Sequence, residues 1–366
     1  MNLNAIRWEL EPTCNLNCKH CFVGKDTMTY PKRVDSNVGL HVIDNLYKIG
    51  IKELFFTTRE PLLNPYICQY IERCTEYGIK TSLITNGICL EDEELSSKLI
   101  ESGLCSISIS LEGATAETND KIRGERSFEK ALLGIRVFQK QLYRHRTVMP
   151  INLQMSLNSY NSTICSSLPA LINELPFDSM SIGALSNTGN AKLNQEIVLP
   201  DDKYFELFSV IASEYKKITN PNYILIFKAL MPWEAALLRS LTGYDIYPVT
   251  PNCSILGGTY SMLPDGNIVP CISLVSDSKY ECINGANLAL IENLETAFPE
   301  CVEDIKTTNK KLKKDFCSGC YFAEKCFLCP ALAKDKGMQS AAIRRCTEAK
   351  KSLKNIWKAD IHKAVT

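Results

Sequence analysis

Short apolar segments rich in β-branched residues alternate with amphipathic segments through the first two thirds of the chain. The apolar segments are predicted strands, and they lie at 5–10, 52–58, 80–85, 105–111, 151–157 and 177–185. Between them, apolar residues recur three and four positions apart, which predicts helices at 36–49, 62–77, 91–102, 126–143, 161–174 and 201–218. Six consecutive strand–helix units predict parallel strands with crossover helices, as a doubly wound sheet or as a whole or partial barrel.

Polar loops follow four of the predicted strands directly. Their sequences are EPTCNLNC after the first strand, TREP after the second, TNG after the third and SLEG after the fourth. Because the carboxyl ends of parallel strands meet at one edge of a sheet, where ligands bind, we expect these loops to converge on one site.

The strand–helix rhythm stops after residue 220. The stretch PVTPNCSILGGTYSMLPDGNIVPC at 248–271 predicts a hairpin with a Pro-Asp-Gly turn between two cysteines. A cysteine-rich segment follows at 317–346, and the tail at 347–366 has the composition of a Lys-rich helix.

The composition argues against a nucleic-acid-binding, membrane-spanning or secreted protein. The 366 residues include 41 basic and 41 acidic side chains, so we expect no nucleic-acid partner. The longest apolar run, at 223–233, contains Lys228 and Pro232 and is too short for a membrane span. Residues 1–14 lack the basic and apolar regions of a signal peptide. These observations predict a cytoplasmic protein without a membrane segment.

Seventeen cysteines accompany only four histidines. A reducing cytoplasm disfavours disulfides, so metal binding is the better explanation for this number of thiols. Sites rich in thiolate and poor in histidine favour iron–sulfur clusters or zinc.

Cys14, Cys18 and Cys21 form the motif C-x3-C-x2-C. Three thiolates can hold three irons of a 4Fe-4S cluster and leave the fourth iron open. A structural zinc ion takes four protein ligands, and His20 is awkwardly placed for that role inside the short Cys18–Cys21 loop. The motif therefore favours an iron–sulfur cluster over zinc or buried structural cysteines.

With His20 at the position usually held by an aromatic residue, this motif resembles the C-x3-C-x-φ-C hallmark of the radical S-adenosylmethionine (SAM) superfamily. The resemblance implies an α/β fold with a partial (β/α)6 TIM-like barrel, and SAM bound to the open iron. Reductive cleavage of SAM would give a 5′-deoxyadenosyl radical that abstracts a hydrogen from the substrate. The protein then has to fix the donor carbon against one C–H bond.

TREP resembles the family's GGEP segment, with Thr58 and Arg59 in place of the two glycines. We expect either an altered path of this loop or an Arg59 side chain that turns outward. TNG, SLEG and the following IRG resemble further SAM-binding segments. The SAM contacts that the resemblance implies are His20, Glu60, Pro61, Thr85, Asn86, Ser110, Glu112, Arg123 and Asn158.

The later cysteines resemble the SPASM extension of the same superfamily, which implies two auxiliary 4Fe-4S clusters and three clusters in total. The implied ligands are Cys317, Cys320, Cys326 and Cys346 for the outer cluster, and Cys253, Cys271 and Cys329 for the inner one. The spacing from Cys326 to Cys329 is x2 where the family has x3, and Cys282 is the nearest candidate for a fourth inner ligand. A zinc ribbon of Cys317, Cys320, Cys326 and Cys329 is the alternative.

The resemblance covers nearly the whole chain and divides it into four segments. They are a barrel at 1–190, a helical bridge at 191–250, a SPASM domain at 251–347 and a helical tail at 348–366.

The leading hypothesis is a peptide maturase that modifies a ribosomally made peptide by a thioether or carbon–carbon crosslink, or by a side-chain oxidation. The alternatives are an anaerobic sulfatase-type formylglycine maturase, a radical dehydrogenase or epimerase acting on a sugar or aminocyclitol, and a non-catalytic cluster-bearing scaffold.

The resemblance also implies partners. They are a peptide or protein substrate and a flavodoxin or ferredoxin reductant. Because the motif begins at residue 14, without a preceding leader-binding domain, we also expect a separate leader-binding protein, or leader recognition by the barrel and the 220–250 bridge.

Overall fold

The computed structural model describes most of the chain up to residue 272 and shorter parts beyond it. The described residues are 4–24, 32–162, 167–175, 177–185, 189–214, 224–228, 232–242, 248–249, 253–272, 282–285, 298–318, 320, 322–324, 326–328 and 346.

Eight strands pair in chain order, each parallel to the one before it. They are β1 Ala5–Glu9, β2 Glu53–Thr57, β3 Lys80–Thr85, β4 Ser106–Ser110, β5 Ile151–Leu157, β6 Ser179–Ala184, β7 Ile224–Lys228 and β8 Pro248–Val249. The first six are the six strands predicted from hydrophobic pattern. The parallel strands and crossover helices confirm the predicted α/β fold.

The helices of the described residues are α1 Ser36–Lys48, α2 Ile67–Glu76, α3 Glu93–Glu101, α4 Ala116–Arg123, α5 Ser127–Arg144, α6 Leu168–Glu174, α7 Asn190–Leu193, α8 Asp201–Glu214, α9 Pro232–Thr242 and α10 Pro299–Phe316. Several begin at a side-chain cap, as sequence predicts. Asp35 accepts a hydrogen bond from the Val38 amide, and Asp92 accepts from the Glu94 and Leu95 amides. No helix in these ranges is long and apolar enough to cross a membrane.

The two faces of the sheet differ sharply in polarity. In β4, Ile107 and Ile109 are buried in the core that the helices cover, whereas Ser106, Ser108 and Ser110 are half-buried on the opposite face. The other central strands alternate in the same way, because successive side chains point to opposite faces. We call the face that carries the serines the inner face of the sheet.

The segment 191–250, expected to be a helical bridge, also contains β7 and β8, which extend the parallel sheet beyond β6. The expected bridge did not include these two strands, and the division of the chain into domains stays a prediction. Its α8 and α9 are helices of 14 and 11 residues. The tail at 348–366 lies outside the described residues.

The predicted hairpin is present and joins the main sheet. Strands β9 Thr259–Met262 and β10 Asn267–Val269 are antiparallel, and the turn contains Gly266 with φ +80°. Strand β11 Ile283–Asn284 pairs with β10, while β9 pairs in parallel with β1. The sheet order is therefore β11-β10-β9-β1-β2-β3-β4-β5-β6-β7-β8.

Candidate functional site

Residues 14–21, which we call the cluster loop, follow β1 at its carboxyl end. Burial raises the pKa of the Cys14 thiol, and it raises the pKa of Cys18 to about 11, although the Arg123 guanidinium opposes both effects. The charges of Cys14, Cys18 and Cys21 also influence one another. The three thiols therefore lie close together, and a metal would have to displace the protons of the Cys14 and Cys18 thiols.

These thiols do not converge on a point. In the part of the chain that the structure describes, no three Cys, His, Asp or Glu side chains are arranged to hold a single metal ion. A cubane cluster has no such requirement, because each thiolate binds a different iron. Three neighbouring thiols in one loop are therefore compatible with a 4Fe-4S cluster.

Glu112 joins the His20 and Arg123 side chains beside the cluster loop. Its Oε1 lies 3.3 Å from His20 Nε2 and 3.6 Å from Arg123 NH2, and its Oε2 accepts a hydrogen bond of 2.8 Å from the Ser156 amide. Burial raises the pKa of Glu112, but His20, Arg123 and the Ser156 amide together outweigh it and leave the pKa below its usual value. Glu112 is thus an ionised carboxylate that orients both neighbours.

His20 and Arg123 keep unused hydrogen-bonding capacity toward the cluster loop. Within the described residues, His20 Nδ1 and Arg123 Nε are buried and have no hydrogen-bond partner. The Cys18 thiol lies 3.9 Å from the Arg123 carbonyl oxygen, and the Lys19 amide donates to the Ile122 carbonyl at 2.8 Å. Unsatisfied buried groups beside three thiols suit a polar ligand at this position, and SAM fits that description.

Glu60 is completely buried and joins two of the polar loops. Its carboxylate accepts hydrogen bonds from the Thr85 hydroxyl at 2.7 Å, the Asn86 amide at 2.8 Å and the Leu62 amide at 3.1 Å. Burial raises the pKa of Glu60, and these three hydrogen bonds offset part of that rise.

The Glu60 contacts continue into the cluster loop. The Asn86 side chain donates a hydrogen bond of 2.7 Å to Asn15 Oδ1, and the Glu60 amide donates to the Thr13 carbonyl at 3.3 Å. The predicted convergence of the loops is therefore present, with Glu60 between TREP and TNG.

The two residues that replace glycines in TREP adopt left-handed backbone conformations, with φ +66° at Thr58 and +51° at Arg59. Side chains with a branched Cβ rarely occupy this region. A turn that favours glycine is thus formed by Thr and Arg. The Arg59 side chain is half-buried, so it does not extend freely into solvent.

We expect Thr58→Gly to raise the free energy of unfolding by about 0.5–1 kcal/mol. The left-handed conformation costs a non-glycine residue about 1–2 kcal/mol, and the extra chain entropy of glycine cancels about half of the gain. Urea unfolding measures the change. Thr57→Gly, in β2, is the matched control and should lower the free energy instead. An equal loss in both variants would contradict strain at residue 58.

Three other predicted contacts lie at the ends of strands. Pro61 is buried and begins a short 3-10 turn, and Ser110 is half-buried as the last residue of β4. Asn158 is buried and follows β5; its side chain bonds to the Ser156 carbonyl and to the amides of Tyr160 and Asn161. Their roles toward SAM stay predictions.

A contact to the cluster loop from beyond β6 was missed by sequence reasoning. The Asn190 side chain donates hydrogen bonds to the Cys18 carbonyl at 2.9 Å and to Asn17 Oδ1 at 3.1 Å, and its amide donates to the Cys21 carbonyl at 2.9 Å. At Gly189, with φ +53°, a Cβ would lie 2.4 Å from the carbonyl oxygens of Cys21 and Phe22. Only glycine fits there, and a Gly-Asn pair after a strand was the available signal.

Four cysteines of the C-terminal segment line one pocket. Its lining residues are Pro232, Trp233, Phe316, Cys317, Cys320, Phe322, Ala323, Cys326, Leu328 and Cys346. Burial raises the pKa of the Cys326 thiol to about 12, and the neighbouring thiols of Cys346, Cys317 and Cys320 add to the rise. We call this the four-cysteine pocket. These are the cysteines expected to hold the outer cluster.

Only some of the cysteines expected to hold the inner cluster lie within the described residues. Cys253 and Cys271 are half-buried and pack against the main core, and the Cys271 charge acts on Arg7 of β1. Cys282 is exposed beside the Asp265 carboxylate, and Cys329 lies outside the described residues. The ligands of an inner cluster stay predictions, as does the zinc ribbon that would require Cys329.

Comparisons with known proteins agree with this site. Residues 8–153, which contain the cluster loop, Glu60 and Glu112, match the family model of the Radical SAM superfamily. An AdoMet-dependent heme synthase of Methanosarcina barkeri is 29% identical over 276 residues, covering 73% of this chain and 76% of that protein. A PqqA peptide cyclase of Bradyrhizobium diazoefficiens is 24% identical over 54% of this chain and 50% of that protein.

A solved structure shows the same fold. The structure of native anSMEcpe with bound AdoMet and Cp18Cys peptide superposes with a TM-score of 0.64 at 17% identity, covering 96% of this chain and 98% of that chain. The domain match and the three-cysteine loop at the end of β1 lead to one assignment: residues 8–153 of this chain carry a radical SAM domain.

Proposed function

We propose that this radical SAM enzyme modifies a ribosomally made peptide by forming a crosslink or oxidising a side chain. The observation that carries the proposal is the polarity of the inner face, which lies below the cluster loop where a substrate would enter the barrel. A barrel interior is ordinarily filled by bulky branched side chains. Here small hydroxyl and amide side chains occupy most of these positions.

Hydrogen bonds connect these side chains across four strands. The hydroxyls of Ser82 and Ser106 are 2.7 Å apart, between β3 and β4. Asn152 of β5 donates to the Ser108 hydroxyl at 3.2 Å and accepts from the hydroxyls of Ser179 at 2.9 Å and Ser181 at 3.2 Å. The inner face thus carries two groups of hydrogen-bonded hydroxyl and amide side chains.

A peptide is a chemical match for such a surface. Each residue of a peptide carries an amide donor and a carbonyl acceptor that need partners when buried. An apolar ligand would offer these hydroxyls and amides no further hydrogen-bond partner. The peptides bound or modified by anSMEcpe and by the PqqA peptide cyclase point in the same direction.

The residues around the cluster loop have separable roles in this proposal. Cys14, Cys18 and Cys21 would hold a 4Fe-4S cluster, and bound SAM would supply the 5′-deoxyadenosyl radical. Glu112 orients His20 and Arg123, whose unused nitrogens would bind polar groups of SAM. The Thr85 and Asn86 loop, fixed through hydrogen bonds to Glu60, would close the site on its other side.

Cofactors and partners complete the proposal. We infer two auxiliary 4Fe-4S clusters, one of them in the four-cysteine pocket, which makes three clusters with the SAM-binding one. A flavodoxin or ferredoxin would supply the electron, and a separate protein would bind the leader of the peptide. The setting would be the cytoplasm.

A tetrapyrrole substrate is the second candidate, because the heme synthase of Methanosarcina barkeri aligns with 73% of this chain. Fe-coproporphyrin III is a suitable probe, since its absorption changes when a protein binds it. Stoichiometric binding, followed by formation of 5′-deoxyadenosine only when the porphyrin is present, would favour this candidate over the peptide.

The proposed activity predicts formation of 5′-deoxyadenosine. We expect the protein, reconstituted without oxygen with iron and sulfide, to bind about 12 irons per chain and to cleave SAM when dithionite is added. Chromatography measures the product. The variant with Cys14, Cys18 and Cys21 changed to Ala is the control and should give only background.

If a neighbouring reading frame encodes a short peptide, its addition should increase the cleavage rate and change the mass of the peptide. Equal 5′-deoxyadenosine from the triple variant would contradict the enzyme assignment. An unchanged peptide mass, with SAM cleavage intact, would contradict the peptide substrate alone.

A further inference from the structure

Among the described residues that line the four-cysteine pocket, one side chain carries a polar group that is not a thiol. Apart from the four sulfurs, its lining side chains are apolar, with Phe316, Phe322 and Leu328 among them, except for the indole N–H of Trp233. Trp233 is the second residue of α9 and is only 6% exposed. A buried indole nitrogen is a donor that needs an acceptor.

That acceptor is a cysteine sulfur. Trp233 Nε1 lies 3.3 Å from Cys346 Sγ, although 113 residues separate them in the chain. Indole nitrogen has no acceptor function, so the hydrogen bond runs in one direction, from N–H to sulfur. Since Cys346 is also close to Cys326, the indole contacts the same group of thiols.

We propose that Trp233 positions Cys346 and raises the reduction potential of the cluster held in the four-cysteine pocket. This inference rests on the proposed cofactor content. A hydrogen bond to a ligating sulfur withdraws electron density and stabilises the reduced cluster, which carries one more negative charge. The aromatic walls act in the opposite sense, because burial away from water destabilises added charge. The hydrogen bond from the indole N–H counteracts this effect of burial on the reduction potential.

The proposal also gives α9 a function. This helix lies in the segment that precedes the cysteine-rich part of the chain, and no cysteine ligand comes from it. Through Trp233 it sets the potential at which electrons enter or leave the cluster. The choice of Trp at this position is thereby explained, since Phe would keep an aromatic wall without donating a hydrogen bond to sulfur.

The test uses the full-length protein, reconstituted without oxygen and titrated electrochemically with electron paramagnetic resonance as the readout. We expect Trp233→Phe to bind as much iron as the wild type and to have a lower midpoint potential for this cluster. Phe322→Leu alters the same pocket without removing a hydrogen bond, so its potential should not change. Trp233→His keeps an N–H in a five-membered ring and should recover part of the shift.

Two outcomes would overturn the inference: equal potentials in wild type and Trp233→Phe, or the same shift in Phe322→Leu. The variant with Cys317 and Cys320 changed to Ala separates this inference from the proposed cofactor content. It should lose about four irons per chain together with the titrated signal. Retention of the signal would overturn both, because the cluster would then lie elsewhere. Loss of the signal with no effect of Trp233→Phe would overturn only the role of the indole.

Discussion

Gly189→Ala is expected to lower the free energy of unfolding by about 2–4 kcal/mol and to reduce the iron bound by the cluster loop. The added Cβ would lie 2.4 Å from two carbonyl oxygens of that loop and the residue after it, and the backbone there has φ +53°. Backbone atoms cannot rotate away as the end of a side chain can. The loop carrying Cys18 and Cys21 must therefore move, and urea unfolding together with an iron assay measures the result.

Two other glycines separate the close contact from the backbone strain. Gly50 has φ +84°, but no atom lies within 4 Å of the place that an added methyl group would occupy, so Gly50→Ala should cost only about 1–2 kcal/mol. Gly257 has neither feature, and Gly257→Ala should change stability by less than about 0.5 kcal/mol. Both variants should keep their iron. If all three variants unfold at the same urea concentration, the prediction of a close contact at residue 189 is wrong.

Glu60→Gln is expected to lower the free energy of unfolding by about 2–3 kcal/mol and to slow SAM cleavage. The Glu60 carboxylate accepts all three of these hydrogen bonds, from the Leu62 amide, the Thr85 hydroxyl and the Asn86 amide. A glutamine NH2 would have to face either the Asn86 amide or the Leu62 amide and Thr85 hydroxyl, so at least one buried donor would lose its acceptor. The loop that contacts Asn15 would then lose its fixed position.

Glu94→Gln is the matched control for this substitution. Its side chain is 77% exposed and pairs only with Lys98, so the change should be within about 0.5 kcal/mol. Urea unfolding and the 5′-deoxyadenosine assay measure both variants. Wild-type stability together with a wild-type cleavage rate in Glu60→Gln would show that the three hydrogen bonds are dispensable.

The alternation of apolar and polar residues was sufficient to predict the barrel strands. Lys80–Thr85 and Ile151–Leu157 have the predicted bounds, and the other four of the first six strands agree within two residues. Period-two patterns are unambiguous where one face is buried by helices and the other is polar. Helix α4 was missed because its eight residues contain few apolar positions, and its stability comes from the Thr115 cap and from packing on α5.

Sequence predicted the site residues that directly follow a strand. It did not predict the residue that donates hydrogen bonds to backbone carbonyls of the cluster loop. Glu60, Asn86 and Glu112 occupy loops whose convergence follows from parallel topology. Asn190 acts on the carbonyls of Cys18 and Cys21, and such contacts leave no pattern in the sequence of the loop that receives them. The conformation of Thr58 was equally hidden, because propensity alone argues against a Thr with positive φ.

The pairing of β9 with β1 has a consequence for dividing this protein into pieces. Residues Ala5 to Trp8 hydrogen-bond with Thr259 to Met262, and the Trp8 indole donates to the Leu263 carbonyl at 3.1 Å. Truncation at residue 250 would leave β1 paired with β2 alone, as an edge strand immediately before the cluster loop and a template for aggregation. The first 250 residues are therefore a poor unit for recombinant expression or domain exchange, although the two groups of cysteine motifs are separate in the sequence.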